Sequence, residues 1–402
     1  MKVGVIGCGA AGMMAAITAA YNGHKVTILE HGIKPGKKLL ATGNGKCNFT
    51  HTDITSEFYN ESGRDLFNNV YSKFTYENTV SFFDEIGMMN VCKNGYYYPR
   101  SEQATTVVNT LINEINRLKI NTVFECNIGS IIKKNVFEIK TDKGNFDFDK
   151  VIIATGSKAS PKTGSDGSGY KLAESFGHKI VKPLPALCAL ECKGFDFKAV
   201  AGVRCKGRVT LLVDSRKTIN DIGELQLTDY GLSGIPVFQI SSKAVRHLDS
   251  GSKVQVIVDF MPEEDNLDVI VNTIIDRAAS GRFSRVSDML SGMFNDKLAR
   301  TIVKQSGLKD EIRGNAISKE DARSIAKIIK ELKVTVTGYK GFDNCQVCSG
   351  GISCGELKTT LESKMCEGLY FAGEIIDIDG ICGGYNLQWA WSSGHVAGLL
   401  QV

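Results

Sequence analysis

The first thirty residues constrain this chain more than any others. Lys2–Ile6 is a short apolar run, the mark of a strand buried on both faces. Gly7-Cys8-Gly9-Ala10-Ala11-Gly12 follows it and opens the small, apolar run Ala10–Tyr21. Lys25–Glu30 is a second strand. Strand, glycine loop, helix and strand in this order predict a βαβ unit. The three glycines act differently. Gly7 permits the tight turn, Gly9 lets the backbone approach a pyrophosphate, and Gly12 allows close helix–strand contact. Ala10 and Ala11 begin the helix, whose free N–H groups and dipole favour a diphosphate. Glu30 stands 18 residues past Gly12, where a carboxylate holds the ribose hydroxyls of an adenosine and disfavours a 2′-phosphate. The segment therefore reads as a dinucleotide site.

Glycine accounts for 42 of 402 residues, against a usual ~7%, while proline numbers only 7. Flexible linkers would raise both. Residues 1–45 hold 9 glycines and residues 338–402 hold 12, so the two ends are the specialised parts. The length suggests two or three domains. Hydrophobic residues at 43%, charged residues at 23% and a net charge of +4 disfavour disorder, collagen and charge-driven binding of nucleic acid. Twelve cysteines invite a disulfide framework, but a chain this long builds its own core, so free thiols in a reducing cytoplasm are expected. The uncharged run Val3–Asn22 is broken by Gly4, Gly7, Gly9 and Gly12 and is not read as a targeting segment or membrane span.

The rest of the chain reads as an α/β frame with interruptions. Residues 51–120 are mostly helical in pattern, with Glu102–Leu118 close to helical spacing. Asn121–Phe148 reads as a small β-meander, and Val151–Ala154 as another buried strand ending in Thr155-Gly156, where the backbone passes close to the dinucleotide. Residues 186–260 are β-rich, residues 261–332 helical, and Lys333–Thr337, Leu369–Ala372 and Ala390–Leu400 predict strand, strand and a closing helix. The expected division is 1–185 with 333–402 as one domain, 186–260 as a β-rich insertion on the substrate side, and 261–332 as a helical insertion.

A second cradle is expected near the C-terminus. A strand ending in Ala372-Gly373-Glu374, then Gly383-Gly384-Tyr385-Asn386-Leu387-Gln388 turning into a helix, places a second helix N-terminus where it stabilises negative charge on a reduced flavin. FAD is long enough to need both cradles. The loop Gly36–Asn48 offers glycines with Lys38, Thr42, Gly43, Asn44, Cys47 and Asn48 to the cofactor.

With these blocks the chain resembles the YhiN/BaiN-like flavoproteins of the two-dinucleotide-binding superfamily. The resemblance rests on Gly36–Asn48, Ala154-Thr-Gly-Ser157, Gly164–Tyr170, Leu227-Thr-Asp-Tyr-Gly-Leu-Ser-Gly234, Glu362-Ser-Lys364 and Gly368–Gly394. Lys46 and Ser157 depart from it, standing where the family usually has Arg and Gly. It implies a Rossmann-like FAD domain made from both ends, interrupted by a β-barrel-like insertion and a helical one. It also implies an NADH- or NADPH-driven reductase of conjugated C=C bonds in 3-oxo steroid substrates of the bile-acid kind. With no second nucleotide fingerprint, the nicotinamide is expected to dock only transiently.

Catalytic candidates are Tyr98 and Tyr385, as donors to an enone oxygen, and Arg100, as a grip on a carbonyl or carboxylate. Cys47 reads as packing, and Cys345-Gln-Val-Cys348 as two buried small side chains rather than a redox dithiol. No metal site is read. His24, His51, His178 and His247 show no paired arrangement. The expected function is an FAD-dependent oxidoreductase on a small molecule, without nucleic acid or membrane. A flavin oxidase using O₂ on amines or ketones, or a non-enzymatic flavin-bound RNA- or protein-interacting module, stand as alternatives.

Overall fold

In the computed structural model, which describes residues 1–401, the chain forms two units. One comprises Met1–Leu184 and Gln346–Val402, the other Pro185–Cys345. The chain leaves the first unit and returns to it, so both glycine-rich ends share one body.

The first unit is built on a five-stranded sheet. Its central strand is β1 (Lys2–Ile6), followed by α1 (Ala10–Tyr21) and β2 (Lys25–Leu29). β3 (Asn121–Val123) extends the β2 side, while β4 (Lys150–Ile153) and β5 (Leu369–Phe371) lie beyond β1 on the other. All pairings are parallel. The carboxyl ends of the strands therefore share one edge. The chain runs from β1 to β2 on one side and later returns to β4 on the other, and the crevice at such a reversal is where α/β sheets bind ligands. The buried apolar runs of β1 and β4 are what a sheet covered on both faces requires.

One cover is a pair of helices, α1 and α2 (Tyr385–Gly398). α1 is apolar all round because the sheet lies on one side and α2 on the other. Small residues set their spacing: a Cβ on Gly394 would stand 2.5 Å from the Ala11 carbonyl oxygen, and one on Gly398 2.6 Å from that of Ala15. α2 begins at Tyr385 rather than near Ala390, because its polar early residues are satisfied locally. Asn386 bonds the preceding loop, and Gln388 accepts the Thr50 hydroxyl at 2.6 Å. Trp391 Nε1 donates to the Phe49 carbonyl at 2.9 Å, so Gln388 and Trp391 of this helix are pinned beside one short strand, Thr50–His51.

That strand joins Tyr96–Pro99 and Asn90–Lys93 in a small antiparallel sheet. The helix expected over 102–118 spans Ala104–Arg117. Ile128–Lys133, Phe137–Thr141 and Gly144–Phe148 form the meander. Asn121–Val123 is instead drawn into the main sheet by pairing with the edge of β2.

The second unit is a closed six-stranded antiparallel barrel, Leu190–Lys193, Gly231–Gly234, Arg216–Thr228, Arg204–Val213, Val254–Asp259 and Leu332–Tyr339 in order around it. The last strand falls in the stretch expected to rejoin the dinucleotide frame at 333. It pairs with barrel strands on both sides and closes the barrel, and the frame resumes only at Gln346. The expected β-rich and helical insertions share this unit. The helix Lys319–Glu331 packs on Val254–Asp259, and Lys330 Nζ bonds Asp259 Oδ2 and the Met261 carbonyl, each at 2.8 Å. Among the described residues no helix is long and apolar enough to cross a membrane.

Candidate functional site

The reversal point of the sheet lies between the ends of β1 and β4, where the motif residues gather. Gly7 holds φ at 100°, and a Cβ there would stand 2.5 Å from the Ala154 carbonyl oxygen. Only glycine turns the chain this way so close to β4. A Cβ on Gly12 would in turn strike the Gly7 carbonyl, which is the close helix–strand contact expected of it. Gly9 caps α1 with no side-chain hydrogen bond, and a Cβ on it would meet nothing within 4 Å. The first-turn amides from Ala10 onward thus open onto free space, as an anion site requires.

Two carboxylates brace this edge. Glu30 accepts the Cys8 and Gly32 N–H groups, each at 2.6 Å, which aims it at the glycine loop. Burial and the Glu30 charge together push the Cys8 thiol well up, so it stays protonated and is simply a small side chain. Glu374 bonds Lys38 Nζ at 2.6 Å and accepts the Cys348 N–H at 3.0 Å. The Lys38–Glu374 pair ties the N-terminal basic loop to the C-terminal glycine block.

The loop around Gly43 and Asn44 takes left-handed backbone at both residues. Thr42 Oγ1 donates to the Leu39 carbonyl at 2.6 Å. Cys47 is fully buried, and burial raises its thiol to about 11, which leaves it inert at neutral pH. Asn48 Oδ1 is buried with no hydrogen-bond partner, and it lies 3.0 Å from where a Cβ on Gly384 would sit. Gly384, at φ 97°, caps α2 with no side-chain bond, so this helix N-terminus is also open. Gly373 lies against the other wall, its Cβ position 2.7 Å from the Ala11 Cβ. It is fastened by its N–H to Ser393 Oγ at 2.9 Å and by Trp389 Nε1 to its carbonyl at 3.1 Å. Asn386 spans the Gly380 N–H and carbonyl at 2.9 and 2.8 Å, and the partly buried Leu387 packs on the core. Thr155 Oγ1, beside Gly156, is a second buried oxygen without a partner.

The structure separates the three catalytic candidates. Tyr385 is buried and stacks on His51, with ring centroids 5.4 Å apart. Its hydroxyl donates to His51 Nδ1 at 3.4 Å, and the Asp53 N–H donates to the same nitrogen at 2.9 Å. Burial pushes the Tyr385 hydroxyl well up, so it keeps its proton across the working range of an enzyme. Tyr96 meets the His51 ring edge-on at 4.6 Å and covers Gly383. Tyr98 shares the strand face of Tyr96, two residues on, and burial raises its hydroxyl too. Arg100 is exposed; its backbone N–H bonds the Met89 carbonyl, and its guanidinium makes no hydrogen bond or ion pair among the described residues. Sequence reasoning passes over His51 and Tyr96. Their signal is strand pairing, His51 opposite Tyr96, which no local pattern discloses. Cys345 and Cys348 are both buried.

These residues fit a flavin dinucleotide. Two uncapped helix N-termini suit negative charge, and the orphaned oxygens of Asn48 and Thr155 suit N–H or O–H donors of a bound group.

A family model described as the HI0933-like protein Rossmann domain matches residues 1–400. A 3-dehydro-bile acid delta(4,6)-reductase of Clostridium scindens is 39% identical, covering 99% of this chain and 98% of that protein. A ribosomal RNA dihydrouridine synthase of Haemophilus influenzae is 27% identical, covering 98% and 97%. Among solved structures, a 3-ketosteroid-delta4-(5alpha)-dehydrogenase of Rhodococcus jostii aligns with a TM-score of 0.49 at 14% identity, over 99% of this chain and 96% of that one.

Proposed function

Because this chain belongs to the HI0933-like Rossmann-domain family and is an FAD-dependent oxidoreductase, we propose that it uses NADH or NADPH to reduce a C=C bond conjugated to a carbonyl in a small ring compound, a 3-oxo steroid of the bile-acid kind. The observation that carries this reading is the 39% identity to the bile-acid reductase over essentially both chains. FAD, when bound, supplies the hydride chemistry. The protein supplies holding, orientation and a proton. The amides after Gly9 and Gly384 hold negative charge, and Glu30 holds the ribose hydroxyls. The Lys38–Glu374 pair keeps the two glycine walls in register. Tyr385, kept protonated by burial and stacked on His51, turns its single O–H away from His51 Nδ1 toward the substrate carbonyl, where enolate charge develops, while the Asp53 N–H keeps that nitrogen bonded.

A second reading is supported by the ribosomal RNA dihydrouridine synthase. Dihydrouridine also arises by saturating a C=C bond conjugated to a carbonyl, so one flavin site serves either substrate. Identity favours the small molecule, 39% against 27%. An anaerobic assay separates them. Bound FAD is photoreduced, and a 3-oxo-4,6-diene bile acid, unmodified ribosomal RNA or O₂ is added while the flavin spectrum is followed. Rapid reoxidation by the diene, with slow reaction of the other two, is expected. Reoxidation by RNA alone transfers the proposal to the nucleic acid, rapid turnover with O₂ makes the protein an oxidase, and a purified chain that takes up no FAD ends both readings.

A further inference from the structure

Leu227–Gly234 is one of the blocks that carry the family resemblance, yet it lies wholly in the second unit, outside the dinucleotide frame. In the barrel it forms the turn between Arg216–Thr228 and Gly231–Gly234. It brings Tyr230 and Ser233 to a pocket of about 420 Å³, lined also by Ala189, Phe238, Lys340 and Asn344. All six residues belong to this unit. The volume is within the range of small-molecule sites, about 300–1,000 Å³.

The lining carries polar groups that face the opening. Ser233 is only 9% exposed, and its backbone is spent on the ladder with Gln226. Its hydroxyl makes no hydrogen bond among the described residues, and neither does the carboxamide of the exposed Asn344, so both are free to meet water or a ligand. Lys340 Nζ sits 3.8 Å over the Tyr230 ring and 3.1 Å from Glu191 Oε1. Glu191 takes one N–H and holds the ammonium over the ring, leaving other donors for a ligand. Phe238 adds a second aromatic side. The pocket therefore offers apolar walls and hydroxyl, amide and ammonium donors, and its ligand must bring a ring and acceptor oxygens.

We propose that this pocket is a binding site for a ring-bearing organic acid, its ring against Tyr230 and Phe238 and its oxygens on Ser233, Asn344 and Lys340. The acid is either the acidic form of the enzyme's own substrate, an arm that rests on the reaction proposed above, or a separate effector.

The test titrates the FAD-loaded full chain calorimetrically with cholate, a ring-bearing acid with no enone to reduce. One saturable site is expected. Ser233→Ala and Lys340→Met should each weaken it about fivefold or more, with flavin spectrum and melting temperature unchanged. Cholate that raises KM for the diene at constant kcat marks the substrate's own subsite; cholate that binds and leaves KM unchanged marks a separate ligand. Absence of saturable binding, or binding undiminished in the Ser233→Ala/Lys340→Met double variant, overturns the proposal. A chain that binds cholate but reduces no enone defeats the reading of the reaction and leaves this site standing.

Discussion

The first unit makes its site from backbone, and the second makes its pocket from side chains. Around the flavin frame the decisive contacts are glycine positions pressed against carbonyls and helix ends left open: Gly7 on Ala154, Gly394 on Ala11, Gly384 beside Asn48. In the barrel they are Tyr230, Ser233, Phe238 and Lys340 projecting from a closed scaffold. Backbone sites fail sterically and all at once, because a Cβ has nowhere to go. Side-chain sites are graded, because each group contributes separately.

The contrast is broken most directly at Gly394. Gly394→Val drives a branched side chain into the Ala11 carbonyl, 2.5 Å from the Cβ position, and forces α1 and α2 apart. A loss of about 3 kcal/mol or more is expected from overpacking, together with loss of bound flavin. Ser233→Ala should keep the flavin fully. A Gly394→Val protein that purifies yellow and melts within a few degrees of the parent shows that this contact does not join the two walls.

Tyr385→Phe probes the side chain proposed to act as proton donor at the first unit's site. It deletes the hydroxyl that donates to His51 Nδ1 and leaves the packing intact. A fall in kcat of about 10²–10⁴-fold is expected, with FAD affinity and melting temperature unchanged. A kcat within threefold of the parent removes Tyr385 from the chemistry.

A smaller effect follows from pH. His395 on α2 stacks on Phe74 with centroids 4.3 Å apart and faces Thr18 Oγ1 at 3.3 Å. Burial lowers it from 6.5 to about 4. The folded value lies below the unfolded one, so between these limits the unfolded chain binds the extra proton. Stability from this group is therefore full above pH 6.5 and is lost as pH falls toward 4. His178, buried between Glu356 and Ser363, is lowered by burial and acts in the same direction. Roughly 2 kcal/mol is expected to go between pH 7 and 4.5. Melting curves of the parent and His395→Gln across this range check it, and an equally steep decline in the variant assigns the loss elsewhere.

These contrasts also explain what the sequence discloses. The unit from β1 to β2 is legible almost to the residue, because glycine geometry and buried apolar runs are local requirements. The return of the C-terminal block to the same frame is legible from composition, because close backbone approach needs glycine at both ends. The start of α2 lies five residues before the expected one, since Asn386 and Gln388 look like loop until Gly380 and Thr50 are found beside them. The last barrel strand belongs to the other body from the one expected, because an alternating strand carries no mark of which sheet it closes. The pairings of His51 and His178 and the barrel pocket are invisible for one reason: their partners lie far off in the chain, as with Tyr385 for His51 and Glu356 for His178.

Arg100 is where the smallest effect is expected and where the comparison is sharpened rather than broken. Its guanidinium is exposed and makes no bond among the described residues, whereas the nearby Lys46 and Lys93 are both held by Glu102. A side chain with no structural partner has little to lose, so Arg100→Ala should change stability by less than about 0.5 kcal/mol. Any effect then belongs to a ligand. If Arg100 grips an anionic group of the substrate, KM rises several-fold at constant kcat, and the rise shrinks with added salt because the contact is solvent-exposed. A fall in kcat at unchanged KM places the residue in the chemical step and makes the first unit more side-chain-driven than its glycines imply. No change in either constant removes Arg100 from the site.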